Sequence, residues 1–206
     1  LFPSVALIRG RKFKRGLQLI FENRHIEDLR TPYFCVSTNL TRGCTQVHDH
    51  GLLSAWVATS MCIPGVAPPV GYRGELLVDG AVINSLPTDV MQNLERGPII
   101  ASDVSTEGGL AAPGVEGPDG ECLLRRQGQD KRPNLFSLLF RTATLTSESG
   151  VAARAERADL YLRMPVGDVG VFDWKRIDAL VESGYRLGME RLPAFREQLL
   201  KPIRAA

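Results

Sequence analysis

The stretch "ELLVDGAVINSLPTDV" (residues 75–90) joins a short apolar run to an acid, a glycine and a proline-started helix. The apolar run predicts a central strand whose carboxyl end is Asp79. Gly80 has no side chain, so another segment or a ligand can approach the chain there, and Pro87 suits the first turn of a helix. An acid at a strand end is either a turn residue or a reacting group, and this stretch alone leaves both interpretations open.

Composition places the chain among soluble globular proteins. It has 206 residues, of which 44% are hydrophobic and 23% charged. This length suits one domain, residues 1–206, with a sizeable core. The formal net charge of +2 offers no case for nucleic-acid binding.

Strand and helix patterns alternate along the chain. Apolar, β-branched runs predict strands at 32–40, 44–49, 75–78, 97–105 and 160–165, and helical periodicity predicts helices at 52–62, after Pro87, at 134–159 and at 173–199, the last with an Asp cap. Such alternation indicates an α/β fold with a largely parallel central sheet. Residues 106–132 are rich in Gly, Pro and charge, so we expect a mobile loop there.

The cysteines and the lengths of the apolar runs indicate in which cellular compartment the protein resides. Cys35 and Cys62 lie inside apolar runs and are expected to be buried thiols, which favours a reducing environment. No apolar stretch approaches the ~18 residues that span a bilayer. We therefore expect a cytoplasmic protein, or one peripheral on a membrane that faces a reducing compartment. The basic cluster 9–16 and the apolar loop 63–72 are candidate membrane contacts, and the basic cluster is equally consistent with a solvated segment.

The sequence offers little support for a metal site or for a Ser-His-Asp catalytic triad. His48 and His50 flank Asp49, and this pattern is expected to form an exposed turn rather than a zinc site. His25 is expected at the surface. With three histidines and no G-x-S-x-G, a Ser-His-Asp triad is hard to assemble, and "TSESG" (146–150) is interpreted as helix surface. No phosphate-binding glycine motif occurs, so no metal and no cofactor are predicted.

Five segments resemble one family. The sequence around Asp79, Gly80 and Ala81 resembles the Asp-Gly-Gly/Ala segment of patatin-like phospholipases. Similarity to the neuropathy target esterase branch extends, in the same order, over "RHIEDLRTPYFCVSTNLTRG" (24–43), "HDHGLLSAWVATSMCIPGVAPPV" (48–70), "LLVDGAVINSLPTDV" (76–90), "PIIASDVS" (98–105) and "DWKRIDALVESGYRLGMERL" (173–192).

The resemblance implies a three-layer α/β/α sandwich and a serine hydrolase that acts on phospholipids or lysophospholipids. Its Ser-Asp dyad works without histidine, and Asp79 matches the dyad aspartate, supported by Gly80 and Ala81. In the family, the serine elbow and the glycine-rich oxyanion loop precede the matched segment. We therefore expect this chain to be the carboxyl-terminal part of a catalytic domain. The alternative is a non-catalytic patatin-fold remnant with a scaffold or regulatory role.

Overall fold

A computed structural model describes residues 10–105, 135–166, 169 and 173–200. The predicted mobile loop 106–132 lies outside these residues. The chain divides into two compact units, one containing residues 10–85 and 135–150 and the other containing 86–105 and the described part of 151–200. Each unit is described separately below.

The described residues contain both helices and strands, as expected of an α/β fold. In chain order they are α1 (Gly10–Phe21), β1 (Cys35–Asn39), β2 (Cys44–His48), α2 (Leu53–Ser60), β3 (Val70–Tyr72), β4 (Glu75–Asp79), α3 (Thr88–Asn93), β5 (Ile100–Asp103), α4 (Leu135–Ser149), α5 (Val151–Ala155), β6 (Leu160–Arg163) and α6 (Ile177–Leu200). Short 3₁₀ turns occur at Ile26–Asp28, Gly80–Val82 and Trp174–Arg176. In the described part of the chain, no helix is long and apolar enough to cross a membrane.

The first unit contains a four-stranded sheet of order β2-β1-β4-β3, in which every neighbouring pair is antiparallel. The prediction of a largely parallel central sheet is wrong for this sheet. Residues 40–43 join β1 to β2, and residues 73–74 join β3 to β4. A parallel pair needs a crossover of about a dozen residues or more, so connections this short can only form hairpins.

Two side-chain and backbone features shape the hairpin turns. Asn39 Oδ1 accepts the backbone N–H groups of Thr41 (3.1 Å) and Arg42 (3.0 Å), which closes the β1–β2 turn. In the β3–β4 turn, Arg73 and Gly74 have φ of 50° and 80°, both in the left-handed region. Two successive positive φ values define a turn whose twist matches that of antiparallel strands.

Strand β1 is buried along its whole length, although three of its five residues are polar. Ser37 shares a hydrogen bond with His48 on β2, and Thr38 Oγ1 donates to the carbonyl of Gly80 (3.4 Å). Asn39 Nδ2 donates to the Glu75 carboxylate at 2.6 Å. Buried polar groups are costly unless they are paired, so these bonds favour one particular arrangement of β2, β1 and β4.

The inner strand β4 ends against β1 at Asp79, as predicted, and Leu77 and Val78 before it are almost fully buried. At the next residue, Gly80, a Cβ atom would lie 2.5 Å from the carbonyl oxygen of Val36 on β1. Only glycine fits this approach of two backbones. Cys35 and Cys62 are also buried, which confirms the prediction made for both thiols.

The second unit contains the parallel pair β5-β6, in register from Ile100 opposite Leu160 to Asp103 opposite Arg163. Leu160 and Leu162 pack against Phe195 of α6 in its core. These two strands are parallel, but they form a sheet separate from the four-stranded one. The predicted Asp cap of the last helix is wrong, because the Asp173 side chain makes no capping hydrogen bond before the 3₁₀ turn.

Replacing Gly80 by alanine tests the backbone contact. The added Cβ would collide with the Val36 carbonyl, so Gly80→Ala should lower the free energy of unfolding by ~1–3 kcal/mol. Urea denaturation measures the change. Gly16→Ala is the matched control, since Gly16 lies in α1 and an added Cβ there would have no atom within 4 Å, and helix propensity should raise stability by ~0.5–1 kcal/mol. Equal stability of the Gly80→Ala variant and the parent would contradict the close approach.

Candidate active site

The Asp79 carboxylate stands at the end of β4 with one oxygen held and one available. Asp79 Oδ1 accepts the backbone N–H of Ala81 at 2.8 Å. The backbone N–H of Asp79 donates to the carbonyl of Cys62 at 3.0 Å. Among the described residues, the carboxylate makes no other hydrogen bond and no ion pair. Asp79 is thus both a turn residue, since it caps the 3₁₀ turn Gly80–Val82, and a carboxylate with a free oxygen.

Burial sets the acidity of this carboxyl group. Loss of solvent raises the pKa of Asp79 to about 6, and the hydrogen bond from Ala81 opposes that rise. A carboxylate with a pKa near 6 is a much better proton acceptor than an exposed aspartate, yet it is still mostly ionised at neutral pH. This combination is typical of a general base.

A buried Ser–His pair lies beside Asp79. Ser37 is the direct partner of Asp79 in the β1–β4 register, so both side chains occupy one face of the sheet. Ser37 Oγ and His48 Nε2 share a hydrogen bond of 2.8 Å, and the His48 ring stacks on Trp56 with 3.9 Å between ring centroids. The prediction that His48 belongs to an exposed turn is therefore wrong, because His48 is the last residue of β2.

Burial also sets the charge of this histidine. It lowers the pKa of His48 to about 4, and the neighbouring Asp49 offsets part of the effect. His48 is therefore neutral at physiological pH, so Asp79 has a polar but uncharged neighbourhood. His50 and His25 are exposed, as predicted for both, and they contact Asp49 and Glu27 respectively.

Three further sequence predictions concern a metal site, the segment "TSESG" and the apolar loop 63–72. Within the described residues, no three His, Cys, Asp or Glu side chains are grouped as metal ligands. In "TSESG", Thr146 and Ser149 are exposed on the helix as predicted, whereas Ser147 is buried and its hydroxyl accepts the Ser85 N–H at 2.8 Å. In the apolar loop 63–72, Val66 and Ala67 are buried, whereas Gly71 and Tyr72 are exposed.

With this site defined, comparisons with known proteins show which family the chain resembles. Residues 1–91, which include Asp79, Gly80 and Ala81, match the family model of patatin-like phospholipases. The resemblance predicted from the sequence is confirmed: the chain is similar to patatin-like phospholipases over the segment that carries the candidate base.

Similarity to individual proteins covers most of the chain and points to the neuropathy target esterase (NTE) branch. The chain is 30% identical to Lysophospholipase NTE1 of Mycosarcoma maydis over 93% of its length and 10% of the relative's. It is 28% identical to a putative patatin-like phospholipase domain-containing protein of Caenorhabditis elegans, over 95% of the chain and 19% of the relative. An uncharacterized NTE family protein of Mycobacterium tuberculosis is 35% identical over 88% of the chain and 32% of the relative. The chain thus spans about a tenth to a third of these relatives' lengths.

The titration of His48 can be measured directly. Because its folded pKa is about 4 and the reference value is 6.5, the unfolded chain binds more protons between these two pH values. His48 therefore contributes stability above pH 6.5 that is lost as the pH falls toward 4. Proton NMR of the histidine rings should show the His48 ring still neutral at pH 5, while exposed His50, whose pKa is raised by its hydrogen bond with Asp49, is protonated at a higher pH. A midpoint near 6.5 for the His48 ring would contradict the buried pair.

Proposed function

We propose that this chain supplies the general base of a serine ester hydrolase acting on phospholipids or lysophospholipids. The observation that carries the proposal is the partly buried Asp79 carboxylate, with its raised pKa and one free oxygen, at the end of an inner strand. Support comes also from relatives named lysophospholipases and from the patatin-like match around Asp79. The proposal includes the three-layer sandwich that the resemblance implies for the complete domain.

Asp79 would act twice in each catalytic cycle. Its free oxygen accepts the proton of the serine hydroxyl while the serine oxygen attacks the ester carbonyl. The same carboxyl group returns that proton to the departing alcohol. It then takes a proton from the water that attacks the acyl-enzyme and delivers it to the serine oxygen as the acyl–serine bond breaks. Backbone N–H donors would stabilise the negative oxygen of each tetrahedral intermediate.

The serine and the oxyanion donors belong to polypeptide that precedes the matched segment in the family. No G-x-S-x-G occurs among the 206 residues, and Ser37, although close to Asp79, is fully buried and bonded to His48. An ester substrate has no access to Ser37 there. The proposal therefore places the nucleophile outside this sequence, and its activity tests use the longer protein.

The proposed substrate lies in a membrane, and α1 is the element best suited to meet it. The described side chains of this helix include exposed Lys14 and Arg15 together with exposed Leu19 and Ile20. Basic and apolar side chains on one surface helix favour binding to an anionic lipid interface. Peripheral contact of this kind remains part of the proposal.

Asp79→Asn in the longer protein tests the catalytic role. The amide keeps the size of the side chain but cannot accept the serine proton, so hydrolysis of a p-nitrophenyl ester should fall by ~10²–10⁴-fold. Asp28→Asn is the matched control, since Asp28 is exposed on a 3₁₀ turn, and it should retain activity. The parent's kcat/KM should rise with pH through about 6 as Asp79 ionises. Full activity of Asp79→Asn would disprove the dyad.

The same substitution has an independent effect on stability in the 206-residue chain. The folded pKa of Asp79, about 6, exceeds the reference value of 3.8. The folded state therefore holds the proton more tightly, and stability falls as the pH rises from about 4 to about 6. Asp79→Asn removes this penalty, so above pH 7 its melting temperature should exceed that of the parent, by roughly 2–4 °C for each kcal/mol released. The gap should close below pH 4. A pH-independent difference would contradict the raised pKa.

A further inference from the structure

A small polar pocket opens on the four-stranded sheet, away from the end that carries Asp79. Its volume is about 250 Å³. It is lined by Arg42, Gln46, Tyr72, Arg73, Glu75 and Leu77. The pocket is smaller than the ~300–1,000 Å³ of sites for drug-sized ligands, so it suits a single small chemical group.

Four of the lining side chains carry hydrogen-bond donors, namely Arg42, Gln46, Tyr72 and Arg73. Arg42 forms an ion pair with Glu75, whose other oxygen accepts from Asn39, so the Glu75 carboxylate is neutralised. Arg73 lies over the Tyr72 ring, 5.0 Å from the ring centroid. In the described part of the chain, neither the Arg73 guanidinium nor the Gln46 amide has a hydrogen-bond partner. With one arginine balanced by Glu75, the pocket keeps one uncompensated positive charge.

The two arginines are held on tight turns. The Asn39 side chain bonds to the N–H of Arg42 and so fixes the β1–β2 turn. The backbone of Arg73 has φ of 50°, a region that favours glycine or asparagine. A long side chain at such a position costs stability, and residues held in sparsely populated conformations cluster at binding sites.

We propose that this pocket binds the anionic oxygen atoms of a phosphate ester. A tetrahedral phosphate has more acceptor oxygens than a planar carboxylate, and the lining offers donors from three places, namely Arg42 and Arg73 on two hairpin turns and Gln46 on β2. Guanidinium groups match phosphate oxygens with paired N–H donors, and they bind this anion tightly. The Tyr72 ring and the Leu77 side chain supply apolar walls for the carbon atoms next to the phosphate.

The pocket shares one face of β4 with the candidate base. Glu75 and Leu77 line the pocket, and Asp79 follows on the same face because side chains alternate along a strand. Glu75 and Asp79 are four residues apart, roughly 13 Å along the strand. Assigning the phosphate to a lipid head group rests on the proposed function, whereas binding of a phosphate anion does not.

The test is a binding titration of the 206-residue chain, followed by NMR of backbone amides at residues 41–46 and 71–77. The three ligands are inorganic phosphate, glycerol 3-phosphate and a glycerophosphodiester without acyl chains. Arg73→Asn removes the guanidinium and suits the turn, so it should keep the fold and weaken phosphate binding by ~10-fold or more. Arg96→Gln is the matched control, since Arg96 is exposed in the second unit, and its binding should be unchanged.

Saturable shifts confined to these residues, and lost in Arg73→Asn, support the site. Tighter binding of the glycerophosphodiester than of inorganic phosphate then identifies a lipid head group, and the reverse order identifies free phosphate. No saturable shift with any of the three ligands overturns the site, as does binding that survives Arg73→Asn unchanged. Retained esterase activity in Asp79→Asn would remove the proposed function and leave the binding result intact, so the two failures are distinguishable.

Discussion

The contact between the Gly80 backbone and the Val36 carbonyl governs the geometry of the first unit. A Cβ atom at residue 80 would come within 2.5 Å of that carbonyl oxygen, so β4 reaches β1 at this point only because the residue is glycine. The same approach brings the Gly80 carbonyl to the hydroxyl of Thr38. It also sets where Asp79 ends the strand. The glycine after the acid is therefore a packing requirement, and the position of the carboxylate is its consequence.

Charge is kept low around that carboxylate. Its direct neighbour across the sheet is Ser37, which is bonded to a histidine that burial keeps neutral. A protonated His48 would lower the pKa of Asp79, and water would do the same. The Ser37 hydroxyl thus has a hydrogen-bond partner on β2 that is not a cation. This arrangement keeps the pKa of Asp79 raised, as the proposed base role requires, at some cost in folding stability.

The sequence predicted the strand end well because the signals there are local. An apolar run, one acid and one glycine are adjacent, so Asp79 could be located without knowing its partners. Strand direction depends on pairing between distant segments. The parallel sheet was predicted from the general alternation of strands and helices, which does not take into account that the short connection at residues 73–74 requires a hairpin. The strand that contains His48 was predicted, but its side chain was expected to be exposed because His50 and Gly51 after it are typical of a turn. Its burial depends on Ser37 and Trp56, which lie on other segments of the chain. Nothing local marks Arg73 as a binding residue, since its role depends on Arg42 and Gln46 from another hairpin.

The backbone bond from Asp79 to Cys62 links the acid to a buried thiol. The Cys62 carbonyl holds the N–H at the strand end, and its Sγ donates to the Ala58 carbonyl at 3.0 Å inside α2. Burial, with the nearby Asp79 charge, raises the pKa of this thiol to about 11, so it is unreactive while the unit stays closed. Alkylation of Cys62 then requires local opening of the segment that holds the acid. The rate at which Cys62 is alkylated, compared with that of exposed Cys44, therefore reports how often the end of β4 separates from the segment after α2. Equilibrium melting measures only global unfolding and does not detect such local opening.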